Sequence, residues 1–113
     1  MRCIVIDVEA QEGKEAEAPD GLDAGLKFMQ GVVGGFIEIA GHVQGTKGGV
    51  DTLYVDEEGL LKEKAGAFAF KGIDHQVFEG SGVILGLDDD SGDSVAAQVS
   101  LDEVRKRVRF VRP

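Results

Sequence analysis

"GVILGLDDDSGDSVAAQV" (82–99) joins two apolar runs through a segment carrying Asp88, Asp89, Asp90 and Asp93. Read as a calcium loop it implies an EF-hand; read as a turn it implies a β-hairpin and therefore a sheet. An EF-hand loop needs oxygen ligands at its first, third and fifth positions, glycine at the sixth and a bidentate glutamate at the last. With Gly92 in the glycine position, Leu87 falls on the first ligand position and Gln98 on the last. Neither is the required carboxylate. Asp, Ser and Gly suit a turn because they tolerate left-handed backbone and bond their own chain. The stretch predicts a hairpin that adds negative charge to the surface, and no metal is assigned to it.

Working outward, "RCIVIDV" (2–8) is a nearly continuous β-branched apolar run, the pattern of a strand buried on both faces. "EAQEGKEAEAPDG" (9–21) reads as a polar surface connection. "DGLDAGLKFMQGVV" (20–33) repeats Leu22, Leu26, Met29 and Val33 at helical spacing, with Asp20 as N-cap and Asp23 in the first turn. Gly34 and Gly35 end that helix, and "FIEIA" (36–40) follows as a strand. "GHVQGTKGG" (41–49) reads as a glycine-rich loop. "VDTLYVDEEGLLKE" (50–63) reads as a strand, a turn at Asp56–Gly59 and a short return strand. "AFAF" (67–70), "HQVFEG" (75–80), "GVILGL" (82–87) and "DSVAAQV" (93–99) supply further short strands. In "SLDEVRKRVRF" (100–110), Ser100 and Glu103 stand in the capping-box arrangement, and Leu101, Val104 and Val108 form an apolar stripe. The expectation is one α+β domain over residues 1–113, a mostly antiparallel sheet with one helix after the first strand and one at the C-terminal end.

Composition narrows function. The 113 residues hold 12 Lys and Arg against 21 Asp and Glu, a net charge of −9. Five of the basic residues (Arg105, Lys106, Arg107, Arg109, Arg112) fall in the last nine positions, so residues 1–100 carry a net of −12. A body this acidic repels phosphate backbones, which argues against direct nucleic-acid binding. The basic segment is expected to dock on the protein's own acidic face. The single cysteine, Cys3, excludes a disulfide framework and a multi-cysteine zinc site, and its apolar setting predicts a buried thiol. No apolar stretch is long enough to span a membrane and no signal-peptide core is evident, so a cytoplasmic protein is expected.

Catalysis has few candidate parts. "GHVQGTKG" departs from the P-loop pattern: Lys47 follows Gly45 by two places, no Ser or Thr comes next, and a strand lies beyond. His42 and His75 are the only histidines; Asp74 adjoins His75, but sequence neighbours point in different directions. "GSG" at 80–82 is not a nucleophile elbow. No catalytic residue and no cofactor are assigned.

Taken together, "VIDV" (5–8), "LKFMQGVVGGFIEI" (26–39), "TLYVDEEGLLK" (52–62), "GSGVILGLDDDSGDSV" (80–95) and "SLDEVRKRV" (100–108) resemble a family of small domains, domain of unknown function 3846. The steps that carry the resemblance are Val33-Gly34-Gly35-Phe36-Ile37-Glu38, then Asp56-Glu57-Glu58-Gly59-Leu60-Leu61, then Gly82 leading into the aspartate turn. The resemblance implies no chemistry. It implies a context, an accessory protein of a bacteriophage or mobile element working in the host bacterial cytoplasm.

Acidity and context together point to a non-catalytic binding protein that modulates a host or phage protein through a basic partner surface. Its contact residues would be the acidic turns, Asp56, Glu57, Glu58, Asp88, Asp89, Asp90 and Asp93. A second reading is a sponge for a small phosphorylated or nucleotide ligand, held by Gly45, Lys47, Gly48, Arg105 and Arg109. A third is a DNA mimic that inhibits a DNA-binding enzyme. An oligomer is compatible with all three.

Overall fold

A computed structural model of the protein describes residues 1–44, 49–62, 64–73, 77–88 and 90–111, and all of their side chains but that of Leu60. Strand β1 (Arg2–Asp7) shows why its sequence is apolar throughout. Side chains alternate along a strand, and here both faces are covered. Cys3 and Val5 pack with Met29, Val33, Val83 and Leu85 on one side. Ile4 and Ile6 pack with Leu53, Val55, Phe68 and Ile84 on the other.

The stretch 9–21 is not a plain connection. The Asp7 carboxylate accepts the Glu9 and Ala10 amides, closing a tight turn. The chain then returns as β2 (Glu12–Glu17), paired with β1 from Arg2↔Glu17 to Asp7↔Glu12. It is an edge strand whose Glu12, Lys14, Glu15 and Glu17 stay exposed. Charge on an edge blocks pairing with other chains, and that hides the alternation a strand is usually known by.

Helix α1 (Leu22–Val33) crosses one face of the sheet. Its N-cap is Gly21, with no side-chain cap bond; Asp20, expected there, lies 3.6 Å from the Met1 amine instead. Met29 and Val33 are buried as the spacing predicts, but Leu22 is 84% and Leu26 37% exposed. Gly25 takes the buried position between them, where a Cβ would stand 3.6 Å from the Pro19 carbonyl oxygen. Gly34 closes the helix in the left-handed conformation at φ 85°.

Strand β3 (Ile37–Gln44) outruns "FIEIA", continuing past a bulge between Ile39 and Gly41 into the stretch read as loop. Strand β4 (Val50–Asp56) follows. Its expected return strand is replaced by a short 3-10 turn, Gly59–Leu61. The reason is topological: β3 and β7 (Gly82–Leu87) already occupy both edges of β4, so a return strand has no ladder to join.

Ala67–Phe70 and Val77–Glu79 form strands β5 and β6, which pair with each other. Of the strand expected over 93–99 only β8 (Ser94–Val95) forms, folding back on β7 across the aspartate turn. Within that turn Asp88 N–H donates to the Asp93 carbonyl at 2.9 Å, and Gly92 N–H to the Asp88 carbonyl at 2.7 Å. Helix α2 is Leu101–Arg107; the Ser100 hydroxyl accepts the Glu103 amide at 3.1 Å, while the Glu103 carboxylate turns to Arg107 and not back to the cap. The helix expected to reach Phe110 stops early. Val108–Val111 form β9, paired with β5 at Phe70↔Val108 and Phe68↔Phe110. The β-branched and aromatic residues of "VRFV" favour a strand once an open edge is within reach.

The larger sheet runs β2-β1-β7-β4-β3 with β8 beside β7, and the smaller runs β6-β5-β9; every pairing among the described residues is antiparallel. The main core fills the space between the two sheets and α2. Helix α1 covers the outer face of the larger sheet. The fold is α+β.

Candidate functional site

Two of the motifs met in sequence order touch in space. Lys64 Nζ donates to the Val33 carbonyl at 3.0 Å, and Lys62 Nζ to the Gly34 carbonyl at 3.3 Å, both at the C-terminal end of α1. A helix end of that sense carries partial negative charge, so two ammoniums suit it. Both lysines also reach Asp56 Oδ2, at 2.7 and 3.1 Å. Asp56 closes its own turn by accepting the Glu58 amide at 2.9 Å, and the Glu57 amide bonds the Phe36 carbonyl at 2.8 Å. Gly35 makes room for this: a Cβ there would stand 2.6 Å from Asp56 Oδ1 and collide with Lys62 Nζ. Burial alone would push the Asp56 carboxyl up, but Lys64, the Glu58 amide and Lys62 outweigh it and hold the group down at about 2.

Outside this knot lies a cleft of about 340 Å³ between the 3-10 turn and β6. Glu38, Glu57, Glu58 and Glu79 line it, over a floor that includes Val55 and Phe78. Gly59 lets the walls approach, since a Cβ there would sit 2.7 Å from the Glu79 carbonyl oxygen. Among the described residues, none of the four glutamates is in an ion pair. The nearby lysines are both paired with Asp56, Lys64 largely buried and Lys62 still 37% exposed. What remains at the surface is uncompensated negative charge beside apolar floor, with Leu61 exposed on the rim.

The predicted contact residues therefore separate. Glu57 and Glu58 are exposed on the cleft. Asp56 is buried and paired, and presents no carboxylate to a partner. Asp88, Asp90 and Asp93 lie at the opposite end of the sheet, because β4 and β7 run antiparallel and the two turns follow their respective C-terminal ends. A seven-residue strand such as β4 puts roughly 20 Å between them. Asp89 lies outside the described residues, as do Gly45, Lys47, Gly48, Asp74, His75 and Arg112.

The described part of the basic segment, expected on the protein's own acidic face, forms no ion pair with either acidic turn. Arg107 pairs with Glu103 at 3.0 Å and Arg105 donates to the Gly13 carbonyl at 3.2 Å. Lys106 and Arg109 line a separate cavity. His42 Nδ1 is 3.3 Å from the Thr52 hydroxyl. Cys3 is buried, and that burial raises its thiol pKa.

Sequence reading did not assign Glu38 and Glu79 to a site, and they reach the cleft from β3 and β6. Glu38 stood only in the step that carries the family resemblance, and Glu79 had no local signal. It also missed Asp51, whose fully buried carboxylate accepts the Gln98 amide at 2.9 Å and the Val99 amide at 2.7 Å. A lone aspartate in an apolar strand, "VDTLYV", is the one hint it left.

No helix among the described residues is long and apolar enough to cross a membrane. Comparison with curated proteins and with solved structures yields no match. The family described as Domain of unknown function (DUF3846) matches residues 1–109, and the chain belongs to it.

Proposed function

We propose that this is a non-catalytic binding protein that modulates a host or phage protein by receiving a basic segment of it in the cleft between the 3-10 turn and β6. The observation that carries this reading is the cleft's composition: four glutamates around an apolar floor, with the neighbouring lysines consumed by Asp56 and the end of α1. Such a site suits a segment that alternates Lys or Arg with an apolar side chain, steered in by a body of net charge −9. The phage or mobile-element setting that the resemblance implies is part of this proposal and fits a role on a protein of the host or of the element. The four glutamates surround a cleft with an apolar floor, which a peptide segment fills and a DNA mimic does not need, and this favours the binding reading over DNA mimicry.

The test is fluorescence anisotropy with a labelled Lys- and Leu-containing peptide, at low and high salt, on the native protein and on Glu57→Gln/Glu58→Gln. Binding that weakens about tenfold in the double variant and falls steeply with salt supports the cleft. Equal affinity in both proteins overturns it.

A further inference from the structure

On another part of the surface the charge reverses. A cavity of about 580 Å³ opens where the turn after β5 meets the corner between α2 and β9, and Lys71, Lys106, Arg107 and Arg109 line it. Among the described residues no carboxylate does. Four of the protein's 12 basic residues thus converge on one cavity of a strongly acidic chain. Arg107 is partly satisfied by Glu103 at 3.0 Å, whereas Lys71, Lys106 and Arg109 form no ion pair among the described residues. The geometry is fixed by backbone: Lys71 N–H donates to the Arg107 carbonyl at 2.9 Å, tying the turn to the end of α2. Phe70, Ile73 and Val108 give the cavity apolar walls. A second cavity of about 330 Å³ shares Lys71 and Arg107 and adds His42 and Gln44.

We propose that this cavity is a binding site for a small ligand bearing a phosphate or pyrophosphate group. Clustered ammonium and guanidinium groups recognise phosphate through charge-assisted hydrogen bonds. The volume falls in the range of small-molecule sites, which combine apolar walls with a few polar anchors. The acidic body acts as a size filter. The attraction of the cluster is screened beyond about 10 Å, so the outlying phosphates of a nucleic-acid strand meet only the acidic remainder of the surface, while a compact anion stays within reach. The site shares one apolar lining residue, Val77, with the acidic cleft and none of its charged groups.

The test is a titration of the full chain, isotope-labelled for amide NMR, with sodium pyrophosphate and separately with ATP. Saturable shifts centred on Lys71, Gly72, Lys106 and Arg109, with a dissociation constant below about 1 mM, support the site. Lys106→Gln/Arg109→Gln, both exposed positions, then weakens pyrophosphate by about tenfold or more with an otherwise unchanged spectrum. If that double variant loses its fold, Lys71→Gln alone serves, with the same expectation. ATP binding tighter than pyrophosphate, with added shifts at His42 and Gln44, makes the ligand a nucleotide; equal affinity makes it a simple phosphate compound. No saturable shift by 10 mM (roughly a tenfold excess over that constant), or undiminished affinity in the variants, overturns the proposal. So does a short DNA duplex that binds these residues more tightly than pyrophosphate.

Discussion

Lys64 holds its ammonium 2.7 Å from the Asp56 carboxylate, with 12% of the lysine side chain and none of the aspartate's exposed. The same ammonium caps α1 at Val33. One buried charge pair therefore fixes the helix, the 3-10 turn and the back wall of the acidic cleft together.

The first prediction concerns pH. Asp56 titrates at about 2 in the folded protein against 3.8 ordinarily. A lowered folded-state value stabilises above the unfolded value, and that contribution is lost as pH falls from about 4 towards about 2. The loss is worth about 2 kcal/mol. Urea unfolding across that range measures it, and Asp56→Asn should flatten this limb. An unchanged acid limb in the variant would place the titration elsewhere.

Asp51 is the next test. Replacing it by alanine strands the buried Val99 amide and one partner of Gln98. Gln98 is exposed and its amide can turn to water, so the cost is that of one orphaned buried amide, about 1 to 3 kcal/mol. The loss should be local as well as global, so hydrogen exchange at Gln98 and Val99 should accelerate more than at Ile84. Uniform acceleration would mean that Asp51 does not specifically hold the segment.

The aspartate turn should behave differently. The Asp90 and Asp93 side chains are exposed, and the turn's bonds are made by its backbone, the Asp88 carboxylate and the Ser91 hydroxyl. Asp90→Asn/Asp93→Asn should shift stability by no more than about 0.5 kcal/mol and leave peptide affinity at the distant cleft within about twofold. Affinity falling as far as in the Glu57/Glu58 variant would show that the two acidic ends act as one surface.

Cys3 offers a probe of the whole fold. Its thiol is fully buried and its pKa is raised by that burial, so the reactive thiolate is scarce. A disulfide reagent should label it slowly in the native protein and rapidly in denaturant, at a rate that follows unfolding. Fast native labelling would show that β1 opens locally.

What could be read from sequence was whatever local pattern decides. The aspartate turn, the Ser100 cap, the Gly34 stop and the doubly buried β1 are written in neighbouring residues. The errors lie where a distant partner decides. Glu12–Glu17 is a strand only because β1 has an open edge beside it. Val108–Val111 leaves the helix because β5 offers another edge, and no return strand follows Asp56 because β4 has none left. The candidate site was half legible: Glu57 and Glu58 belong to a readable turn, while Glu38 and Glu79 join them only through the fold.

The strand order has a consequence for how the chain assembles. β1 with β2 and β3 with β4 are local hairpins, able to form early, but neither pair is hydrogen-bonded to the other. Strand β7, residues 82–87, is the piece that joins them. During synthesis both hairpins must wait, with Ile4, Ile6, Leu53 and Val55 uncovered, until that keystone emerges. Folding is then governed by one late long-range closure, which predicts millisecond-to-second kinetics for a domain of this size. A chain cut short before Gly82 would keep two sticky half-sheets and aggregate.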